Sequence, residues 1–339
     1  MNTGVNRIAW VDWAKCWAAV TVVFCHLPQS QEWMYFRYLQ ACIITIFFFL
    51  SGYLKRDRGT LGNNVHKYIK ALAVPYLVYN LLMLPYWVAR FYLQQGAWPD
   101  WAALSRPILG ALLMQHSSSI AEPLNGTLWY LPAILLMHIV TDLCHRSRHE
   151  HLLLSGLCVF TVVGYYLYKV YAPHPTLLVM GFLRRFPYFY LGYIAGQRRW
   201  LRQASPKSDA QLGAAALAAS ASFFMAHVAT IDSPALHLAL FYPVNVGFLV
   251  AVVCGCRLLG SHPPQWVVNI SVGTLVIVGL QWMVIGTVNY AIGLTTGACH
   301  AGTYQWYEAL PLAILITALL YPVIKFSQHH APLLVGREH

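Results

Sequence analysis

The chain has 339 residues, of which 58% are hydrophobic, 14% aromatic and only 10% charged. Its mean hydropathy is +0.52. This composition excludes a soluble globular domain and predicts an all-α integral membrane protein. The net charge of +11 would also fit a nucleic-acid-binding protein. However, the basic residues are concentrated in the loops that end apolar segments, which is typical of membrane topology and argues against a nucleic acid partner.

Apolar segments long enough to cross a bilayer recur along the whole sequence. A transmembrane helix needs roughly 17–25 such residues to cross a hydrocarbon core of about 30 Å. About ten segments satisfy this requirement, and we expect one transmembrane domain over residues 1–339 without a separate soluble domain. The segments lie near residues 8–28, 38–54, 68–92, 128–144, 151–171, 178–196, 209–229, 235–256, 266–292 and 306–326.

The loops between these segments predict the topology. Most of the 22 Lys and Arg residues fall on the side that also holds the two termini, so the positive-inside rule predicts that both termini are cytoplasmic. The apolar piece WAALSRPILGALLMQ, residues 101–115, is too short to span and predicts an interfacial helix on the outer side. The eight cysteines, including Cys299, form no CxxC pair, which predicts packing residues and neither disulfides nor a metal site.

The first apolar segment, VDWAKCWAAVTVVFCH, contains three ionisable residues, Asp12, Lys15 and His26. In a helix, Lys15 and His26 lie within about 20° of each other and roughly 16 Å apart along the axis, with Asp12 on the same side. One interpretation is that Asp12 and Lys15 snorkel to one interface and His26 marks the other. The second is that the three residues form a polar stripe that faces the bundle interior and lines a path across the membrane.

Two further segments contain small or basic residues with more than one interpretation. FFFLSGYLKR, residues 47–56, has a Ser-Gly pair that favours close helix packing. LRRFPYFYLGYIAG, residues 183–196, begins an outer-side helix with two adjacent arginines. Arg184 and Arg185 either contact lipid phosphates or bind an anionic group of a substrate.

Polar residues in two other segments are candidates for an outer-side binding site. EPLNGTLWYLPAILL, residues 122–136, has Glu122 and Trp129 at a helix mouth, where a tryptophan is also common as an interfacial residue. GTLVIVGLQWMVIG, residues 273–286, contains Gln281 in mid-span. A buried glutamine is either a helix–helix hydrogen-bonding residue or a cavity residue.

Taken in order, these segments resemble the acyltransferase 3 family of bacterial membrane O-acyltransferases, especially its fucose 4-O-acetylase-like branch. Lys15 and His26 match the Arg-x10-His signature of that family in its Lys form. The resemblance covers nearly the whole chain. It is also carried by FFFLSGYL (47–54), Lys70 with Pro75 and Tyr76, LWYLPA (128–133), FPYFYLGY (186–193) and APLLVGR (331–337).

Two positions depart from the family pattern. Lys15 stands where many members have Arg, so the charge is kept and the planar bidentate fork is lost. Gln281 stands in the penultimate helix, where members often have a histidine. A role for that second histidine is therefore not expected in this chain.

The resemblance implies a function. Members move an acyl group, usually acetyl from cytoplasmic acetyl-CoA, across the membrane onto a hydroxyl of a glycan or of its lipid-linked precursor. In this chain, the cell inner membrane is the implied location, and a glycan synthesis or export complex or a homo-oligomer is an implied assembly. The 16 Å rise from Lys15 to His26 is about the reach of an extended pantetheine arm. The sequence leaves acetyl and longer acyl groups open.

The resemblance also implies roles for individual residues. His26 takes the proton of the acceptor hydroxyl, or forms an acyl-imidazole intermediate; the sequence leaves both routes open. Lys15, with Asp12 as its ion partner, neutralises a phosphate or polarises a group of the donor. The nucleotide phosphates are then expected at Lys70, Lys67 and Arg56, and the acceptor at Arg184, Arg185, Glu122, Trp129 and Gln281.

A catalytic histidine needs an acceptor on its other ring nitrogen. Asp12 is too far along the same helix, so we expect a carboxylate from elsewhere, with Glu32, Glu122 and Glu308 as candidates. Two other classes of function remain. The polar stripe also fits a transporter for a small polar or anionic solute, and an interfacial His26 fits a non-catalytic membrane subunit of a glycan synthesis system.

Overall fold

The computed structural model describes residues 7–29, 32–56, 59–115, 117–171, 177–198, 201, 205–229, 232–296 and 304–336. Cys299 and residue 337 of APLLVGR lie outside these residues. Within them every regular element is helical, as the sequence predicts, and none is a strand. The helices are α1 (Ala9–His26), α2 (Met34–Leu54), α3 (Leu61–Tyr68), α4 (Val74–Gln95), α5 (Trp101–Leu112), α6 (Tyr130–His145), α7 (Glu150–Tyr171), α8 (Leu177–Gln197), α9 (Pro206–Ala229), α10 (Pro234–Leu258), α11 (Gln265–Val272), α12 (Thr274–Thr296) and α13 (Trp306–His330).

Eight helical segments in the described part of the chain are long and apolar enough to cross a membrane. They correspond to α2, the run from α3 to α4, the run that ends in α6, and α7, α9, α10, α12 and α13. The chain is therefore a multi-pass membrane protein. The other two predicted spans, α1 and α8, are present as helices of 18 and 21 residues. The ionisable side chains in α1 and α8 lower the hydropathy of both helices.

Two predicted spans are not regular helices throughout. The third is interrupted by a π-helical turn, Ile69–Ala73, just before Pro75. Proline has no backbone N–H and cannot complete the regular hydrogen-bond ladder there. The ninth is divided at Gly273 into α11 and α12, and a Cβ atom at Gly273 would collide with the side chain of Ile324 in α13. The helix predicted near 101–115 is present as α5, and its interfacial position stays a prediction.

The first helix lies at the centre of the bundle. It packs against α2, α10, α11, α12 and α13. Ala14, Ala18 and Ala19 are 0% exposed, so small side chains allow these neighbours to approach closely. Asp12, near the start of the helix, is 5% exposed. This burial supports the interior interpretation of the polar stripe over snorkelling to an interface.

Helices α2 and α8 are held in close contact by glycines. A Cβ atom on Gly52 would collide with the carbonyl oxygen of Phe189, and one on Gly192 would collide with that of Phe49. The packing interpretation of the Ser-Gly pair is therefore confirmed for Gly52. Close approach of two backbones at small residues is how membrane helices gain packing contacts. It also fixes Arg184 and Arg185 of α8 relative to α2.

Candidate active site

Two cavities lie along α1, one near each end. The first, which we call the His26 cavity, has a volume of about 400 Å³ and is lined by the end of α1 together with α2, α6, α8 and α12. The second, the basic cavity, has a volume of about 530 Å³ and is lined by Lys15 and by residues of α2, α3, α6 and α11. Phe47 and Tyr130 line both cavities. We call these two aromatic residues the aromatic wall. The sequence predicts one polar path along α1, and the structure has two cavities that meet at this wall.

His26 is oriented by its own helix. Its Nδ1 donates a hydrogen bond of 2.6 Å to the carbonyl oxygen of Val22. The second ring nitrogen, Nε2, is then the proton acceptor of the neutral imidazole. The ring also packs edge-on against Trp282, with 5.6 Å between the ring centroids. His26 lines the cavity with Nε2 available as a base or a nucleophile.

The prediction of a carboxylate partner for His26 is wrong. Nδ1 is already bonded to the Val22 carbonyl, one turn earlier in α1. Glu32 is exposed, and Glu308 accepts a hydrogen bond from the backbone N–H of Gln305 in a capping box at the start of α13. A backbone carbonyl fixes the tautomer without a second charge in the bundle interior, where an unneeded charge is costly.

Arg184 and Arg185 both line the His26 cavity. Arg185 is 3% exposed and donates hydrogen bonds to Thr45, to Asn245 at 3.0 Å and to the Ala41 carbonyl at 3.2 Å. The guanidinium of Arg184 lies 3.9 Å from the ring centroid of Phe241. Among the described residues no carboxylate forms an ion pair with either arginine. The His26 cavity therefore has a positive potential that its own walls do not neutralise.

The remaining predicted acceptor residues do not lie together. Trp129 lines the His26 cavity, and a Cβ atom at Gly181 would collide with its ring. Glu122 lines a third cavity instead. Gln281 is 0% exposed and lines none of the three cavities, and its amide makes no hydrogen bond to any described residue. The cavity thus unites His26, Arg184, Arg185 and Trp129, without Glu122 or Gln281.

Four basic residues, Lys15, Lys55, Arg56 and Lys67, line the basic cavity. Arg56 and Lys67 are exposed, so the positive charge extends to the mouth of the cavity. Lys70, which the sequence also suggests as a phosphate ligand, is not in the lining. It lies within the π-helical turn that precedes Pro75. The arrangement fits an anionic, elongated ligand with its charge at the mouth.

The Asp12 carboxylate has an ion partner that the sequence does not predict. Arg7 donates to both of its oxygens, at 2.7 and 3.1 Å, and Ser271 donates to one of them at 2.6 Å. Ser271 belongs to α11 and also lines the basic cavity. Asp12 therefore joins the start of α1 to α11 and fixes the helix that carries Lys15 and His26.

The sequence does not predict a buried ion pair at the basic cavity, between Lys55 and Asp142. Lys55 donates to Asp142, and their side chains are 3% and 6% exposed. Asp142 also accepts hydrogen bonds from Asn64 and Tyr68, each at 3.0 Å. In the sequence Lys55 resembles an ordinary basic topology residue, and Asp142 is 87 positions away. Only tertiary contact brings the two together.

A serine–histidine contact also lies in the basic cavity. The Oγ of Ser51 and the Nε2 of His138 are 2.9 Å apart, and Tyr68 stacks on the imidazole with 4.6 Å between centroids. His138 and Asp142 lie one turn apart on α6, a spacing that could have indicated a polar face. The hydroxyl of Tyr130, in the aromatic wall, makes no hydrogen bond to any described residue.

The helical bundle holds two cavities along one central helix, with the basic residue Lys15 in one and the histidine His26 in the other. Comparison with known families is consistent with this description. The family model described as an acyltransferase domain matches residues 8–324, and the chain belongs to this acyltransferase 3 family. It is a membrane acyltransferase. No curated protein and no solved structure matches it.

Proposed function

We propose that this protein is an O-acetyltransferase that moves acetyl from acetyl-CoA to a hydroxyl of a cell-surface or secreted glycan, or of its lipid-linked precursor. The proposal places it in the inner membrane with both termini in the cytoplasm. The basic cavity then opens to the cytoplasm and receives the donor. The His26 cavity faces the other side and receives the acceptor.

The observation that carries this proposal is the division of α1 between two cavities. Lys15 lines the basic cavity and His26 lines the other, and the two residues of the aromatic wall line both cavities. The two residues are roughly 16 Å apart along the helix. A donor with phosphates at Arg56 and Lys67 and a flexible arm reaching past Lys15 would bring its thioester to the aromatic wall. The charged end of the donor stays at the mouth, where water still screens it.

His26 would supply the proton transfer. Its Nε2 removes the proton from the acceptor hydroxyl as that oxygen attacks the thioester carbonyl. The carbon–sulfur bond breaks, and the CoA thiolate takes up the proton from the imidazolium. The products are the acetyl ester and CoA thiol. In the alternative route, Nε2 attacks the thioester carbonyl and releases the CoA thiolate. The acceptor hydroxyl then attacks the acyl-imidazole and displaces the imidazole, and its proton ends on the thiolate.

Arg184 and Arg185 support an anionic acceptor. Arg185 is buried and Arg184 is half-buried, and guanidinium groups withdrawn from water without carboxylate partners favour a ligand that brings negative charge. A phosphate or carboxylate offers the planar or tetrahedral oxygens that an arginine binds through two N–H groups. A lipid-linked glycan phosphate and an acidic sugar both have this chemistry.

The test is transfer of radiolabelled acetyl from acetyl-CoA by purified protein to a mixed extract of lipid-linked and free glycans. We expect labelled glycan with wild type and a loss of roughly 10²- to 10⁴-fold with His26→Ala, as for removal of a general base. His227→Ala is the matched control. His227 is buried where His26 is half-buried, its Nδ1 also donates to a backbone carbonyl at 2.7 Å, and it lines none of the three cavities.

Each outcome bears on the proposal. Equal activity of His26→Ala and wild type would remove His26 from the chemistry. Labelled protein that accumulates without acceptor and disappears when acceptor is added would identify the acyl-imidazole route. If folded wild-type protein neither consumes acetyl-CoA nor labels any glycan, the donor and acceptor assignments are wrong. Flux of anionic solutes into vesicles without acetyl-CoA would then indicate a transporter.

A further inference from the structure

A third cavity, with a volume of about 540 Å³, lies beside the His26 cavity. It is formed by the second half of α4, by α5, by the segment from Glu122 to Gly126, and by Trp282 of α12. The backbone N–H of Glu122 donates to the Arg106 carbonyl at 3.1 Å, and Gly110 of α5 lies directly against the Glu122 backbone. These contacts fix α5 as one side of the cavity, which we call the α4–α5 cavity.

The mouth of the α4–α5 cavity is polar and positively charged. Arg90, Gln94 and Arg106 line it and are all exposed. Neither arginine forms an ion pair with a described residue. Glu122, the first residue of the segment that leads to α6, is half-buried. Two guanidinium groups and an amide at one opening fit a ligand that carries a carboxylate, sulfate or phosphate.

The inner surface of this cavity is aromatic. Tyr86, Trp87 and Phe91 of α4 line it together with Trp282. The rings of Trp87 and Phe91 are stacked, with 5.3 Å between their centroids and an angle of 29°. Flat aromatic faces next to hydrogen-bonding groups fit sugar rings, which present C–H faces to the aromatic residues and hydroxyls to the polar ones.

The α4–α5 cavity leads toward His26. Trp282 lines it and also contacts the His26 ring. Gly126 lines the same cavity, and its neighbour Thr127 lines the His26 cavity. Thr127 is fixed by a hydrogen bond of 2.9 Å to the Val278 carbonyl. The side chain of Trp282 therefore contacts both His26, the proposed base, and any ligand that fills the α4–α5 cavity.

We infer that the α4–α5 cavity binds an oligosaccharide with an acidic group, as the part of the acceptor that lies beyond the sugar at His26. This inference rests on the proposed function. Arg90 and Arg106 hold the acidic group, the aromatic residues stack on the sugar rings, and Glu122 accepts hydrogen bonds from sugar hydroxyls. A phospholipid headgroup would use the two arginines alone and would leave the aromatic inner surface unfilled.

The experiment is binding of the purified, detergent-solubilised protein, without acetyl-CoA, to an array of oligosaccharides of one to eight units. The array contains carboxylated, sulfated, phosphorylated and neutral members. We expect saturable binding to acidic members longer than one unit. The double variant Arg90→Ala/Arg106→Ala should weaken it at least about tenfold, since charge-assisted hydrogen bonds are lost. Trp87→Ala should also weaken it, and to a similar extent for carboxylated, sulfated and phosphorylated oligomers.

Arg37→Ala is the matched control because Arg37 lies near the start of α2, at the same end of the bundle as His26, and lines none of the three cavities. It should bind like wild type. No saturable binding to any array member overturns the inference, as does an equal loss with Arg37→Ala. Displacement of bound saccharide by micelles containing phosphatidylglycerol identifies a lipid headgroup site instead. Because no acetyl-CoA is present, absent binding is distinguishable from failure of the proposed transfer reaction.

Discussion

Two buried cations in this protein differ in how their charge is balanced. Lys55, in the basic cavity, is paired with Asp142, which also accepts hydrogen bonds from Asn64 and Tyr68. Arg185, in the His26 cavity, is surrounded only by neutral acceptors among the described residues. A buried charge without a counter-charge is unfavourable unless a ligand supplies one. The difference suggests that Lys55 stabilises the bundle and that Arg185 serves a substrate.

The largest effect on stability should follow from removing the negative charge of the Lys55–Asp142 ion pair. Asp142→Asn leaves the ammonium of Lys55 buried without a counter-charge, and we expect it to lower the free energy of unfolding by about 3–5 kcal/mol. Thermal unfolding in detergent measures this. Asp209→Asn is the control, because Asp209 also pairs with a cation, Arg257, at 3.2 Å, but the Arg257 side chain is more exposed than that of Lys55.

The double variant Lys55→Met/Asp142→Leu sharpens the same comparison. Replacing both charges with apolar side chains should restore most of the stability, since no unpaired charge remains. If Asp142→Asn unfolds at the wild-type temperature, Lys55 has another counter-charge and the contrast with Arg185 disappears. If the double variant is as unstable as the single one, the hydrogen bonds from Asn64 and Tyr68 are the larger contribution.

Substitution of Arg185, the buried cation without a counter-charge, should have a smaller effect on stability and a clear effect on function. Arg185→Met should cost less than about 1.5 kcal/mol of stability, as a similarly sized side chain replaces it. Thr45 keeps its hydrogen bond to Asn245, at 2.5 Å. The KM for the acceptor should rise about tenfold, because a charged hydrogen bond is lost, while the KM for acetyl-CoA stays unchanged.

Arg185→Lys separates charge from shape at this position. It keeps the positive charge and loses the planar fork, so an intermediate KM for the acceptor is expected. A stability loss as large as that of Asp142→Asn would contradict the distinction between Lys55, which stabilises the bundle, and Arg185, which serves a substrate. An unchanged KM for the acceptor would show that the guanidinium only supports packing between α2, α8 and α10.

The overall architecture was predictable because it follows from composition and apolar length. The polar stripe of α1 was predictable too, since helical periodicity alone places Lys15 and His26 on one face. The packing role of Gly52 followed from its residue type. Only contact with five neighbouring helices, however, shows that α1 is central and that Asp12 lies in the interior.

Several features of the site depend on contacts that no local pattern contains. The aromatic wall joins Phe47 of α2 to Tyr130 of α6, and neither residue differs from other aromatic residues in apolar helices. The hydrogen-bond acceptor for the Nδ1 of His26 is a backbone carbonyl. Because every residue has a backbone carbonyl, the sequence does not single this one out, and it favoured a carboxylate that the fold does not supply. The serine–histidine contact likewise needs α2 and α6 to be adjacent.

The smallest expected effect distinguishes two neighbouring lysines outside the buried centres. Lys67 lines the exposed mouth of the basic cavity and Lys70 does not. Lys67→Ala should raise the KM for acetyl-CoA by roughly two- to fivefold, because exposed charges contribute little and are screened by salt. The effect should shrink as ionic strength increases, and Lys70→Ala should match wild type. Equal effects of both variants would indicate that the overall positive potential of this surface, and not the lining of the cavity, attracts the donor. The basic cavity would then differ from the His26 cavity in requiring no specific cation at all.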